Sequence, residues 1–134
     1  MDCKRYPLGS CKGYRYVVIL SYYQGELLLS RHRERTTWET QGGHIEPGET
    51  PSEAAARELY EESGALEYTL EPLFDYEAGV PDDSACGQVF RAKIQRLGPL
   101  PPSEMAEVRR FRRLPSNVTY PGITPQLFAW AEAE

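Results

Sequence analysis

Apolar and polar positions along this chain predict strands on both sides of one polar-faced helix. The run at 14–23, YRYVVILSYY, is β-branched and aromatic and reads as a buried strand. Gln24-Gly25 supplies a tight turn and 26–30 returns as a second strand, which predicts a hairpin. A charged loop is expected at 31–37, with short strands at 38–40 and 44–45 on either side of Gly42-Gly43. Thr50-Pro51-Ser52-Glu53 then forms a capping box with proline at the first helical position. Ala54, Ala55, Ala56, Arg57 and Leu59 favour helix, and Ser63-Gly64 ends it. The alanines allow close approach to a sheet, with Leu59 as the larger anchor.

Beyond the helix, one strand is expected within 66–80, centred on 73–78, followed by a turn at Pro81-Asp82-Asp83-Ser84. Imperfect alternation through Val89, Ala92 and Ile94 predicts a strand at 87–97. A proline-rich loop at 99–103 precedes a short strand at 108–111. Thr124-Pro125 opens a C-terminal helix to about residue 133, with Leu127, Phe128 and Trp130 available for packing. Residues 1–13 read as an irregular lead-in or a short edge strand. Strands mixed with two helices predict the α/β class, a sandwich built on one sheet.

At 134 residues the chain is expected to be a single domain, 1–134. No apolar run approaches the ~18 residues of a membrane span and no signal peptide opens the sequence, so no membrane association is expected. Cys3, Cys11 and Cys86 have no metal-ligand spacing; a disulfide framework is not expected, and a reducing cytoplasm is the default. The net charge of -5 argues against duplex nucleic acid as a partner. Arg31, Arg33 and Arg35, and again Arg109, Arg110, Arg112 and Arg113, form local basic clusters. These read as solvated or ion-paired surface, with one or two reaching a substrate phosphate as the alternative.

The chemistry is concentrated in the helix. Glu58, Glu61 and Glu62 stand at i, i+3 and i+4, so three carboxylates share one side. They repel one another, and they occupy the last turn, where the helix dipole favours cations. A divalent cation reverses both penalties, since hard ions such as Mg²⁺ take carboxylate oxygens and leave positions for water and phosphate. Glu58 and Glu62, stacked one turn apart, are the best direct metal ligands, with Glu61 next.

The stretch GHIEPGETPSEAAARELYEESGA at 43–65 carries a further pattern. Gly43, Glu49, Arg57, Glu58, Leu59, Glu61, Glu62, Gly64 and Ala65 follow the spacing of the Nudix box, and the chain resembles the Nudix hydrolase family, in particular its MutT-type members. Ala65 is smaller than the usual residue there. Seven positions demand one residue type, so a chance match is on the order of one in a billion per start point.

The resemblance implies a Nudix-type α/β/α sandwich with a mixed sheet, and a Mg²⁺-dependent enzyme, with Mn²⁺ as an alternative ion. The reaction it implies is cleavage of the pyrophosphate linkage of a nucleoside di- or triphosphate derivative by metal-activated water. It adds the Gly42 carbonyl to the metal ligands Glu58, Glu61 and Glu62, and makes Arg57 orient the glutamates, with Glu49 as its expected partner. Glu61, Glu62, Arg57 and Glu107 form the expected catalytic set. Glu107 is the later-loop base and Glu104 its near rival. Arg31 matches a phosphate-binding arginine. Asn117 is a candidate reader of a purine edge, because an amide both donates and accepts. Trp38, Tyr76, Phe90 and Tyr120 are candidates for stacking on a base or for the core. His44 reads as a strand residue. Gln41 departs from the proline common before the double glycine and so loosens the transfer of specificity.

The expected substrate is a small nucleotide of the oxidised-guanine triphosphate type, with nucleotide sugars, ADP-ribose and dinucleoside polyphosphates open. A non-catalytic nucleotide sensor and an isopentenyl diphosphate isomerase are the readings from other classes. The expected assembly is a monomer or homodimer.

Overall fold

The computed structural model describes residues 2–79 and 85–134. Seven strands and two helices follow in the order β1 (Asp2–Tyr6), β2 (Tyr16–Tyr23), β3 (Glu26–His32), β4 (Gln41–His44), α1 (Pro51–Ser63), β5 (Ala65–Gly79), β6 (Ala85–Leu97), β7 (Met105–Phe111) and α2 (Thr124–Glu132). The sheet runs β1-β5-β6-β2-β3-β7, with β4 paired to β2. β2 and β6 are parallel and the other pairs antiparallel, so the sheet is mixed, as expected.

Alternation along β2 and β3 feeds two cores. Val17, Ile19 and Leu28 join Ala54, Ala55, Leu59, Phe90 and Ala92 under α1. Leu20, Leu27 and Leu29 join Trp38, Phe74, Val89, Leu127 and Phe128 under α2. The helices therefore cover opposite faces. In α1 the capping box forms as read: Thr50 caps Glu53 and Glu53 answers the Thr50 backbone. Gly64 closes the helix in the left-handed conformation.

The long strands depart most from expectation. β5 covers fifteen residues rather than the six at 73–78, because it pairs almost throughout with β6 and absorbs three register shifts. β7 likewise begins at Met105. The two short strands expected around the double glycine are instead one strand containing it, with Trp38 and Glu39 in isolated bridges outside it. Gly42 makes this approach feasible: a Cβ there would lie 2.4 Å from the Val17 carbonyl oxygen. The turn expected at 81–84 lies outside the described residues.

The cysteine expectation is corrected. Cys11 and Cys86 form a disulfide, with Cα atoms 6.3 Å apart across 75 residues of sequence. Cys11 is brought there by its loop, whose Cys11 N–H and Tyr14 hydroxyl both donate to the buried Asp75 carboxylate. Cysteine spacing therefore gives no support for a reducing compartment. Cys3 stays free and half-buried, and burial pushes its thiol up to about 11. Among the described residues, no helix is long and apolar enough to cross a membrane.

Candidate active site

Helix α1 lies over β4, and the contact is closest at its acidic side. The Gly42 N–H donates to Glu62 Oε1 at 2.8 Å. Gly43 lies directly under Glu58: a Cβ at that position would sit 2.7 Å from Glu58 Oε2. The double glycine is thus a cradle for two carboxylates, and side chains there would fill it.

Arg57 gathers the rest. Its Nε and Nη2 grip Glu49 at 2.7 and 2.9 Å, its Nη1 reaches Glu58 Oε1 at 2.5 Å, and its Nη2 also donates to the His44 carbonyl at 3.1 Å. Arg57 Nη1 lies 3.5 Å from Glu61. This bidentate pair holds the Glu49 carboxyl down to about 2, with the Glu46 backbone N–H adding to the effect. Helix α1 and the β4–α1 loop are locked together by it.

Burial drives the other two carboxyls upward. Desolvation pushes Glu62 up to about 8; the Gly42 N–H opposes it, while Glu58, Glu39 and Glu104 add repulsion. Glu58 is raised by desolvation and held back by Arg57. A cavity of about 310 Å³ opens beside them, lined by Glu58, Glu61, Glu62, Pro102, Ser103 and Glu104. Among the described residues, no three ligating side chains already converge on a point. The donor set is nevertheless all oxygen, and two of its carboxylates, Glu58 and Glu62, are half-buried close to one another, a combination that suits a hard divalent cation.

A second cavity, about 320 Å³, lies toward α2 and shares Gly42 and Gly43 as part of its wall. Tyr16, Val18, Tyr76, Tyr120, Ile123 and Leu127 give it an apolar, aromatic lining. Tyr16 and Tyr76 meet edge to face at 5.2 Å.

The structure separates the sequence candidates. It brings Gly42, Arg57, Glu58, Glu61 and Glu62 together, and of the two later glutamates it brings Glu104. Glu107 pairs with Arg31 across β3 and β7, with Arg31 Nη2 3.3 Å from its carboxylate, and neither lines the acidic cavity. Strand alternation explains this: Val108 packs toward α1, so Glu107 faces the α2 side. Trp38 is a core residue, packed on Phe111 with the Arg109 guanidinium over its ring, and lines neither cavity. Phe90 is likewise core. Asn117 is exposed and points its amide at the Thr36 carbonyl, 3.4 Å away, outside either cavity. Its neighbour Tyr120 reaches the cavity instead. Sequence reasoning missed Tyr16 and Ile123, which line the second cavity. Tyr16 stands two positions before Val18 on one strand face, a period-2 signal that was available.

The NUDIX domain family matches residues 13–121. The chain belongs to the NUDIX family. Its NUDIX relatives include "Putative 8-oxo-dGTP diphosphatase YtkD" of Bacillus subtilis (strain 168), 32% identical over 83 residues, which cover 62% of this chain and 52% of the relative. An RNA pyrophosphohydrolase of Roseobacter denitrificans is 35% identical over 84 residues, covering 61% of this chain and 50% of that protein. The chain thus spans about half the length of these curated relatives. A crystal structure of a mutant Bacillus subtilis pyrophosphohydrolase, BsRppH, superposes with a TM-score of 0.82 at 22% identity, covering 98% of this chain and 89% of that one. At that identity the likeness is one of NUDIX fold.

Proposed function

We propose that this NUDIX chain is a divalent-metal-dependent pyrophosphohydrolase that cuts the diphosphate linkage of a nucleoside di- or triphosphate derivative. One observation carries the reading: Gly42 and Gly43, on which Glu62 and Glu58 rest, also line the tyrosine-rich cavity. A base seated between Tyr16 and Tyr120 would lead its phosphates across the glycine strand to the carboxylates. The aromatic lining, together with the name of the relative at 32% identity, favours a purine triphosphate of the oxidised-guanine type. A 5′-triphosphate end of RNA is the second reading, favoured by the name of the relative at 35% identity.

Glu58 and Glu62 would hold the ion, Mg²⁺ or Mn²⁺, with Glu61 and the Gly42 carbonyl completing the donor set. When bound there, the cation neutralises phosphate charge and makes water acidic enough to attack at neutral pH. Glu104, which lines the acidic cavity where Glu107 does not, would be the group to take that water's proton. Arg57, saturated by Glu49 and Glu58, fixes the carboxylates rather than touching phosphate.

The test is a nucleotide panel with Mg²⁺, including oxidised dGTP and a 5′-triphosphate RNA, with phosphate and pyrophosphate separated as products. Cleavage within the phosphate chain of at least one substrate, dependent on metal, is expected. No cleavage at any divalent concentration would refute the enzyme reading.

A further inference from the structure

Directly before the double glycine, Gln41 is 0% exposed, and both ends of its amide are used. The Ser21 hydroxyl donates to its Oε1 at 2.6 Å. Its Nε2 donates to the Leu28 carbonyl at 3.2 Å and to Ser30 Oγ at 2.9 Å. The Leu28 carbonyl fixes the orientation, because a flipped amide would set oxygen against oxygen. Since Ser30 Oγ accepts from Gln41, its own proton is directed onward, to the Glu62 carbonyl at 2.7 Å. That carbonyl lies in the last turn of α1, where the helix itself offers no N–H.

The chain of bonds closes on itself. From the Gln41 amide it runs through Ser30 to the Glu62 backbone, along the Glu62 side chain, and from Oε1 back to the N–H of Gly42, the next residue after Gln41. Glu62 is therefore held at its carboxylate by Gly42 of β4 and at its backbone by Ser30 of β3, which Gln41 of β4 orients. We propose that Gln41 is a positioning residue for Glu62: the Gln41–Ser30 relay sets the depth of the last turn of α1 over β4, and so the place of the Glu62 carboxylate at the metal centre. A proline at this position would supply no side-chain amide. A leucine of similar size fills the space but leaves the Ser21 hydroxyl without its Gln41 acceptor and Ser30 Oγ without the donor that orients it, so the end of the helix is free to shift.

The inference rests on the metal-centre reading above, and the experiment separates the two. Mn²⁺ binding to the whole chain is measured by the loss of the free-ion EPR signal, alongside kcat and KM, for wild type, Gln41→Leu, Ser30→Ala and the double variant. Gln41→Leu is expected to weaken Mn²⁺ binding about tenfold, as loss of a group orienting a ligand commonly does. It should lower kcat while leaving the nucleotide KM within about twofold, because the tyrosine cavity is untouched. Ser30→Ala should act in the same direction, and the double variant should be little worse than the worse single, since both break one relay. If Gln41→Leu does not fold, Ser30→Ala decides alone. Folded variants that bind Mn²⁺ as wild type does, or that raise only KM, would overturn the proposal. Wild-type protein that binds no Mn²⁺ would instead overturn the metal-centre reading, and the inference with it.

Discussion

Raising the pH from about 6 to about 8 is expected to tighten Mn²⁺ binding about fiftyfold, because the ion must displace a proton held on Glu62. Burial sets that carboxyl near 8, against an ordinary value of 4.5. Only about 1% of it is then ionised at pH ~6 and about half at pH ~8, which gives the ratio. The metal-free protein should show the opposite trend. Between 4.5 and about 8 the folded chain keeps a proton on Glu62 that the unfolded chain has released. The contribution to stability is full below 4.5 and fades as pH rises through about 8, by at most about 5 kcal/mol. Calorimetric titration with Mn²⁺ in buffers of different ionisation enthalpy reads both the affinity and the proton released. Urea unfolding in the presence of a chelator reads the stability. Equal affinities at both pH values with no proton release would refute the electrostatic account of Glu62.

Gly43→Ala should reduce turnover at least about tenfold with little loss of stability, because its Cβ displaces the Glu58 carboxylate, whereas Gly42→Ala meets the Val17 backbone and should cost roughly 1–3 kcal/mol in unfolding. Glu104→Gln should lower kcat about a hundredfold or more, while Glu107→Gln changes little; equal mild effects would return the base to the helix. Tyr120→Ala should raise KM for the nucleotide with kcat nearly unchanged, and an unchanged KM would move the base out of the tyrosine cavity.

The helix and its acidic side were legible because they rest on local rules. The capping box, the alanine run and the glycine stop are neighbours in sequence, and an i, i+3, i+4 triplet fixes its own geometry. The hairpin and the two-sided sandwich follow from the same kind of pattern. What was not legible depends on pairing across the sheet. The length of β5 is set by β6, and the pairing of Glu107 with Arg31 by the register of β7 against β3. Trp38, expected in a short strand, and Asn117, expected in a loop, were both candidates for contact with a base, yet Trp38 bridges to Val118 with its ring buried while the Asn117 amide stays outside. Gln41 read as a mere departure from proline because its partners, Ser21 and Ser30, lie on two other strands. The Cys11–Cys86 bond was hidden for the same reason.

The central claim is that the Glu58–Glu62 cluster is the metal-dependent hydrolytic centre. Its most direct test is Glu62→Gln, a substitution that keeps the size of the side chain and an oxygen for the Gly42 N–H. Turnover of the best substrate in the panel should fall by about three orders of magnitude or more at saturating Mg²⁺, with the melting transition of the metal-free protein retained. A folded Glu62→Gln protein that hydrolyses substrate at near wild-type rate would contradict it.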